Sequence, residues 1–191
     1  MKIAITGHTN GIGKSFAEYL YDRGHEIIGL SKRHGNNIRN IPKIVQQIVD
    51  CDMFINNAQA GYAQTELFQH VAEHWKDDKN KMIWNISTVM ASDYKMPNIE
   101  SLSDRQLAEY RTQKRALEDA IKTARSQNAR CRIVLIRPGA VATQPYNHAG
   151  VDSADVDAWT GTICNFYISC REHCLYPDEI SLSFKRDAPE L

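Results

Sequence analysis

The chain has 191 residues, of which 42% are hydrophobic and 24% charged, as in an ordinary globular protein. Its 23 basic and 23 acidic residues give a formal net charge of zero, so composition does not support a nucleic-acid or anionic-membrane partner. No apolar run approaches the roughly 20 residues of a membrane helix. No secretory signal opens the sequence, so we expect one cytoplasmic domain over residues 1–191.

Short apolar segments alternate with amphipathic segments along the whole chain. Six apolar segments predict strands, near 2–6, 26–30, 53–56, 82–87, 131–137 and 180–184. Five segments with helical spacing predict helices, near 11–23, 42–50, 64–77, 104–127 and 154–173. This alternation is typical of a parallel sheet with helices on both faces. The predicted fold is α/β, a Rossmann-type doubly wound parallel sheet of six or seven strands.

A glycine-rich turn follows the first predicted strand and opens the first predicted helix. Its sequence is T-G-H-T-N-G-I-G, over Thr6–Gly13. Glycines permit a tight turn and a close backbone approach to a pyrophosphate, which the helix N-terminus then stabilises. Because strand, turn and helix occur in that order, the pattern predicts a dinucleotide site. The predicted cofactor contacts in the turn are Gly7, Thr9, Asn10, Gly11, Ile12 and Gly13.

The end of the second strand indicates which dinucleotide is bound. An NAD-selective site places an acidic residue about 20 residues beyond the glycine turn, to bind the ribose 2′-hydroxyl. This chain has Ser31, Lys32 and Arg33 there, and no carboxylate nearby. Such residues would pair with a 2′-phosphate, so we predict NADP(H), bound through Ser31 and Arg33. The alternative is that these residues form only a solvated basic surface.

Tyr110 and Lys114 are four residues apart on the predicted helix 104–127. Residues with this spacing lie on one helix face, so the phenol and the ammonium are within reach of each other. A nearby positive charge favours the phenolate and makes tyrosine a better acid or base near neutral pH. A tyrosine–lysine pair with this spacing is common by chance. Together with the glycine turn, it becomes a specific signal of an acid–base pair beside a dinucleotide site.

At this point the sequence resembles the short-chain dehydrogenase/reductase superfamily, as a shortened member. The resemblance covers nearly the whole chain and consists of five landmarks in order. They are T-G-x-x-x-G-I-G at Thr6–Gly13, N-N-A at Asn56–Ala58, N-I-S-T at Asn85–Thr88, the pair Tyr110/Lys114, and P-G-x-V-x-T at Pro138–Thr143.

The resemblance implies a reaction in which Tyr110 exchanges a proton with a carbonyl or alcohol oxygen. Lys114 would hold the cofactor ribose and lower the pKa of the tyrosine, and Thr88 would bind the substrate oxygen. Ser87 is the alternative to Thr88, but on a strand it points to the other side. The resemblance adds further cofactor contacts at Asn57, Ala58, Tyr110, Lys114, Pro138, Gly139, Val141 and Thr143.

Several positions depart from the family pattern, among them Thr88, which stands where the family has a serine. Gln59 replaces the glycine of N-N-A-G, which puts a side chain where the cofactor should run. The supporting asparagine of the family has no clear counterpart, and Gln64 is nearest by spacing. A longer segment between Thr88 and Tyr110, over 93–103, predicts a loop beside the site.

The chain is also short between Arg33 and Asp52. Only one helix fits there, so we predict a third strand reduced to a few residues near Asn36–Arg39, with Asn37 at the adenine. Residues 144–160 would form the substrate lid, with three bulky candidates for substrate contact. These candidates are Tyr146, His148 and Trp159.

The sequence therefore predicts an NADP(H)-dependent oxidoreductase acting on CH–OH or C=O groups of a small molecule, assembled as a homodimer or homotetramer. Two alternatives stay open: a non-catalytic NADP(H)-binding sensor or assembly protein, and a small sugar-nucleotide epimerase-like enzyme. No metal is expected, since Cys170 and Cys174 provide only two clear ligands in register. We expect them to be buried thiols on a packed helix.

Overall fold

The structure is a computed structural model that describes residues 1–92, 103–143 and 153–183. Its strands are β1 Lys2–Thr6, β2 Glu26–Leu30, β3 Met53–Asn56, β4 Met82–Ile86, β5 Arg132–Pro138 and β6 Glu179–Leu182. Its helices are α1 Gly11–Tyr21, α2 Ile41–Ile48, α3 Ala63–Trp75, α4 Asp104–Ser126 and α5 Val156–Glu172. Short 3₁₀ turns follow β2 at Lys32–His34 and β4 at Val89–Ala91. These elements confirm the predicted alternation of strands and helices.

The six strands form one sheet in the order β2-β1-β3-β4-β5-β6, and every neighbouring pair is parallel. The predicted α/β doubly wound fold is therefore confirmed. Successive strands run outward in both directions from β1 and β3. This reversal opens a crevice at the carboxyl ends of the central strands, where ligands bind in such folds.

Two hydrophobic clusters cover the two faces of the sheet. One joins the sheet to α2, α3 and α4, with Phe54, Phe68 and Leu117 fully buried. The other joins it to α1 and α5, and there the Phe16 ring makes edge contacts with Trp84 and Trp159 at 5.8 and 6.2 Å. Burying one such side chain stabilises the fold by about 1.5–3 kcal/mol, so both helical layers are firmly held.

The predicted third strand near Asn36–Arg39 is wrong. The Asn37 carbonyl accepts from the Asn40 amide, and the Asn37 side chain accepts from the Arg39 amide at 3.1 Å. Asparagine side chains that bond to the local backbone compete with strand pairing, so the segment turns. It leads directly into α2, where the Asn40 side chain accepts from Lys43, and β2 is left at the edge of the sheet.

The expectation for two cysteines is also wrong. Cys170 is half-buried, while Cys174 is exposed and lies beyond the end of α5 with a positive φ of 58°. The helix ends at Glu172, so the chain turns before Cys174 can join the buried face. Within the described ranges, no group of three His, Cys, Asp or Glu residues could hold a metal ion.

Part of the predicted lid falls outside the described residues, including Tyr146 and His148. Residues 156–160 form the first turn of α5, and Trp159 is buried in the core. Most of the predicted 93–103 loop also lies outside the described ranges. In the part of the chain that is described, no helix has the length and apolar character to cross a bilayer.

The glycine turn provides a test of the packing. In Gly13→Ala the new Cβ would lie 2.4 Å from the Gly7 carbonyl oxygen and 2.5 Å from Asn57 Nδ2, so the turn must shift. Overpacking of this kind costs about 1–3 kcal/mol, and we expect the free energy of unfolding in urea to fall by that amount.

Gly161→Ala is the matched control, because its Cβ would lie 3.5 Å from the Tyr19 ring, at an ordinary contact distance inside α5. Alanine is favoured over glycine in a helix by about 1 kcal/mol, so this variant should be as stable as the wild type or more stable. Equal stability of the two variants would contradict the packing described for Gly13.

Candidate active site

The predicted site residues gather at the carboxyl edge of the sheet. Thr6 ends β1, Asn56 ends β3, and Ile86 ends β4 just before Ser87 and Thr88. Parallel pairing between these strands places their ends side by side. Segments that are far apart in sequence thus meet along one edge.

Thr6 connects the ends of β1 and β3. Its buried hydroxyl donates to the Ile55 carbonyl at 3.4 Å and accepts from the amides of Asn57 and Ala58 at 2.9 and 3.0 Å. The Asn57 side chain donates back to the Thr6 carbonyl at 3.0 Å. The N-N-A segment is thereby held against the glycine turn.

The glycine turn leaves the N-terminus of α1 open. Asn10 precedes the helix without a side-chain cap, and the first turn carries no acidic residue. The first backbone N–H groups of a helix have no intrahelical partner, which makes them suited to an anion. Thr143 lies close to Gly11, since a Cβ added to this glycine would be 3.0 Å from the Thr143 Cβ. The P-G-x-V-x-T segment therefore lies next to the turn.

A pocket of about 360 Å³ lies between the glycine turn and the end of β2. Its lining includes Gly7 and Thr9 from the turn, Ser31 and Arg33 after β2, and Asn37. Ser31 is 6% exposed and its hydroxyl makes no hydrogen bond within the described part of the chain, whereas Arg33 is exposed. An unsatisfied buried hydroxyl and a neighbouring guanidinium suit an anionic ligand group. The predicted adenine-side residues are thus brought together in one pocket.

Tyr110 and Thr88 meet across the gap between α4 and the end of β4. The Thr88 hydroxyl lies beside the Tyr110 phenol, and Tyr110 is half-buried. Burial raises the pKa of Tyr110, and the interaction with Thr88 lowers it in part. The pKa of the tyrosine thus lies above its ordinary value, opposite to the lowering that the family resemblance implies, because desolvation is the larger effect.

Lys114 is buried beneath Tyr110, with 3% of its surface exposed. Its ammonium donates to the Gln64 side-chain oxygen at 2.8 Å and to the Ile86 carbonyl at 2.9 Å. Its Nζ atom is 5.7 Å from the centre of the Tyr110 ring. Burial lowers the pKa of Lys114 to about 7, although the nearby Glu118 carboxylate acts in the opposite direction.

Gln64 belongs to a buried amide cluster at the start of α3. Its Nε2 donates to the carbonyls of Asn56 and Ile86 at 2.8 and 3.0 Å. Asn56 in turn donates to the Gln64 carbonyl and to the Asn85 side chain, both at 3.0 Å. Sequence spacing pointed to Gln64 only as the nearest candidate, whereas the structure places its side chain directly on Lys114.

Ser87 and Thr88 point to different partners, as strand alternation predicts. The Ser87 hydroxyl donates to the Glu118 carboxylate at 2.7 Å, away from Tyr110. Of the two hydroxyls, Thr88 is therefore the one that contacts Tyr110. Sequence reasoning missed Glu118, and the available signal was an acidic residue four positions after Lys114, on the helix face that also carries Leu117 and Ile121.

The remaining predicted residues line the same edge. Pro138 and Val141 are buried, and Val141 pairs with Ala154 in a short bridge. Gly139 lies close to Ser183, which leaves no space for a side chain there. Gln59, which replaces the family glycine, borders the adenine-side pocket and donates from its side chain to Gln113 on α4.

Solved structures share this fold. A short-chain dehydrogenase from Burkholderia cenocepacia in complex with NADP matches with a TM-score of 0.71 at 14% identity, over 96% of this chain and 88% of that one. The 3-ketoacyl-(acyl-carrier-protein) reductase from Brucella melitensis, complexed with NADH, matches with a TM-score of 0.71 at 14% identity, over 98% of both chains. A 4-hydroxyisoleucine dehydrogenase complexed with NADH matches with a TM-score of 0.70 at 17% identity, over 99% of both chains.

No protein-family model and no curated protein matches the chain. The likeness to the solved structures shows that this chain has the fold of the short-chain dehydrogenases.

The buried amine of Lys114 predicts a pH-dependent stability. Its pKa is about 7 in the folded chain and has an ordinary value of 10.5, so between these values the unfolded chain binds more protons. The contribution of Lys114 to the free energy of unfolding should therefore rise with pH from about 7, by at most about 1.4 kcal/mol per pH unit. Urea denaturation of wild type and Lys114→Met should show a difference, wild type minus variant, that increases from about pH 7 to about pH 9.

Lys122→Met is the control, because Lys122 is exposed on the same helix. The corresponding difference for this variant should stay flat over the same range. A flat difference for Lys114→Met as well would show that its amine is not desolvated.

Proposed function

We propose that this chain is a member of the short-chain dehydrogenase/reductase superfamily that interconverts a carbonyl and an alcohol with NADP(H). The observation that carries the proposal is the placement of Lys114, which is buried one turn after Tyr110 on the same helix and bonded to Gln64 and to the end of β4, with Thr88 beside the Tyr110 phenol. These three groups lie beside a glycine turn that opens a helix N-terminus, in a fold shared with dehydrogenases that bind NADP or NADH.

The residues at the edge of the sheet fit a dinucleotide. The open N-terminus of α1 suits the pyrophosphate. The close packing around Gly13 leaves no space for a side chain at that position. Ser31 and Arg33 would hold the 2′-phosphate, which supports NADP(H) over NAD(H). The bound nicotinamide would supply or accept the hydride, which is chemistry that belongs to the cofactor.

Each protein group then has a separate role in moving the proton. Tyr110 donates its phenolic proton to the carbonyl oxygen during reduction and takes it back during oxidation. Thr88 orients the substrate oxygen toward that phenol. In its protonated form Lys114 has three N–H donors, of which Gln64 and Ile86 occupy two, so one is left for the ribose hydroxyls.

Tyr110→Phe tests the acid–base role. The variant keeps the ring but lacks the proton, so we expect NADPH oxidation with a panel of carbonyl compounds to fall by about 100-fold or more. NADPH binding, measured by calorimetry, should be retained.

Tyr62→Phe is the matched control, since Tyr62 is an exposed tyrosine at the start of α3 and its loss of a hydroxyl should change neither rate nor binding. NADPH binding by the wild type without any turnover would favour the non-catalytic sensor instead. Absence of NADPH binding by the wild type would exclude the proposed function.

Arg33→Ala tests the choice of cofactor. Hydrogen bonds to a charged group contribute about 1.5–3 kcal/mol, so the dissociation constant for NADP⁺ should rise by about 10- to 100-fold. The dissociation constant for NAD⁺ should not change, because NAD⁺ has no 2′-phosphate. Arg39→Ala, an exposed arginine six positions further along the chain, is the control. Equal loss of affinity for both dinucleotides would contradict the role of Arg33.

A further inference from the structure

Glu118 is a buried acidic residue on α4, with 6% of its surface exposed. A buried carboxylate is costly unless it is paired and hydrogen-bonded. One oxygen of Glu118 accepts from the Ser87 hydroxyl at 2.7 Å and from Arg137 Nε at 2.9 Å, and the other accepts from Arg137 Nη2 at 2.8 Å. The carboxylate is therefore held by the residue just after β4 and by β5 together.

The partners of Glu118 are the immediate neighbours of candidate site residues. Ser87 directly precedes Thr88, and Arg137 directly precedes the Pro138–Gly139 segment. On its own helix, Glu118 lies one turn after Lys114 and two turns after Tyr110. One carboxylate thus connects the segment that bears Thr88 to the helix that bears Tyr110 and Lys114.

The charges around this carboxylate form a short network. Arg137 also donates to the Glu179 carboxylate on β6 at 2.6 Å. Arg125 on α4 lies 3.4 Å from the Glu179 carboxylate as well. On the solvent side of α4, Asp119 pairs with Lys122 at 3.3 Å. Arg115 donates to the Ala91 carbonyl at 2.9 Å. Arg137 contacts Glu118 through two hydrogen bonds, so neutralising Glu118 leaves the Arg137 charge without this partner.

We propose that Glu118 is a positioning residue for the reaction, because its carboxylate fixes Thr88 relative to Tyr110 and Lys114. The inference rests on the proposed function. A buried ion pair stabilises a fold no better than apolar residues of similar volume, so stability alone gives no reason for this one. The position of Glu118 gives a reason instead, since two groups that act together from separate elements, such as Thr88 and Tyr110, need those elements held in a fixed arrangement.

Electrostatics give a second effect that can be measured. The Glu118 charge raises the pKa of Lys114 against the larger effect of burial. In Glu118→Gln that charge is lost, while the positive charge of Arg137 stays nearby. The pKa of Lys114 should therefore fall below its wild-type value.

Glu118→Gln is the decisive variant, with Asp119→Asn as the matched control. Both replace a carboxylate by an amide on the same helix, but Asp119 is exposed and pairs with Lys122 at 3.3 Å. We expect kcat of Glu118→Gln to fall by about 10- to 100-fold, as for a small displacement of a catalytic group, while the NADPH dissociation constant is retained. Asp119→Asn should keep the wild-type kcat.

Nuclear magnetic resonance of lysine labelled with carbon-13 at Cε gives a readout that needs neither cofactor nor turnover. The Lys114 resonance is assigned by its loss in Lys114→Met. Its titration midpoint should move to lower pH in Glu118→Gln and stay at the wild-type value in Asp119→Asn. A wild type without NADPH turnover would defeat the proposed function, while this titration would still decide whether Glu118 acts on Lys114.

A folded Glu118→Gln protein with wild-type kcat and an unchanged Lys114 midpoint would overturn the inference. If this variant does not fold, Glu118→Asp takes its place, because it keeps the charge but is too short to reach both Ser87 and Arg137 as Glu118 does. In Glu118→Asp the titration midpoint of Lys114 should stay at the wild-type value, while kcat should be reduced. Wild-type kcat in Glu118→Asp would equally overturn the inference.

Discussion

Hydrogen bonds at Thr6 hold the carboxyl ends of β1 and β3 together, and the rest of the candidate site depends on that junction. The Thr6 hydroxyl and carbonyl take part in four bonds, to Ile55, Asn57 and Ala58. Thr6 is fully buried, so its polar groups would be costly to leave without partners. Because the order of strands reverses at this junction, the crevice opens there. The glycine turn, the pocket after β2 and the Tyr110 helix all border it.

Buried polar groups determine how the two halves of the site are arranged. Between the glycine turn and the end of β2, the Ser31 hydroxyl is buried beside a pocket and makes no hydrogen bond within the described residues. On the other side, Lys114 and Glu118 are buried charges with bonded partners. The unsatisfied Ser31 hydroxyl on the first side suits a polar ligand group, and the bonded charges on the second side hold the segments that bear Tyr110 and Thr88. This division is consistent with binding at one end and proton transfer at the other.

Much of the fold followed from local patterns. The six strands and five helices end within a few residues of their predicted limits, because apolar periodicity and the glycine turn are local signals. The failure at Asn36–Arg39 has an equally local cause, since the Asn37 side chain bonds to the backbone two residues on. That competition was readable in the sequence, but the family pattern favoured a strand there.

The sequence by itself determined the parallel α/β fold, the glycine turn and the Tyr110/Lys114 pair, because each depends on patterns of residues that are close together along the chain. Only the tertiary structure decided that Gln64 contacts Lys114 and that Glu118 joins Ser87 to Arg137. These contacts link residues from separate strands and helices, and side-chain reach across such a gap depends on the packing of the sheet. The tertiary structure also decided the charge environment, because desolvation, which raises the pKa of Tyr110 and lowers that of Lys114, exists only in the folded chain.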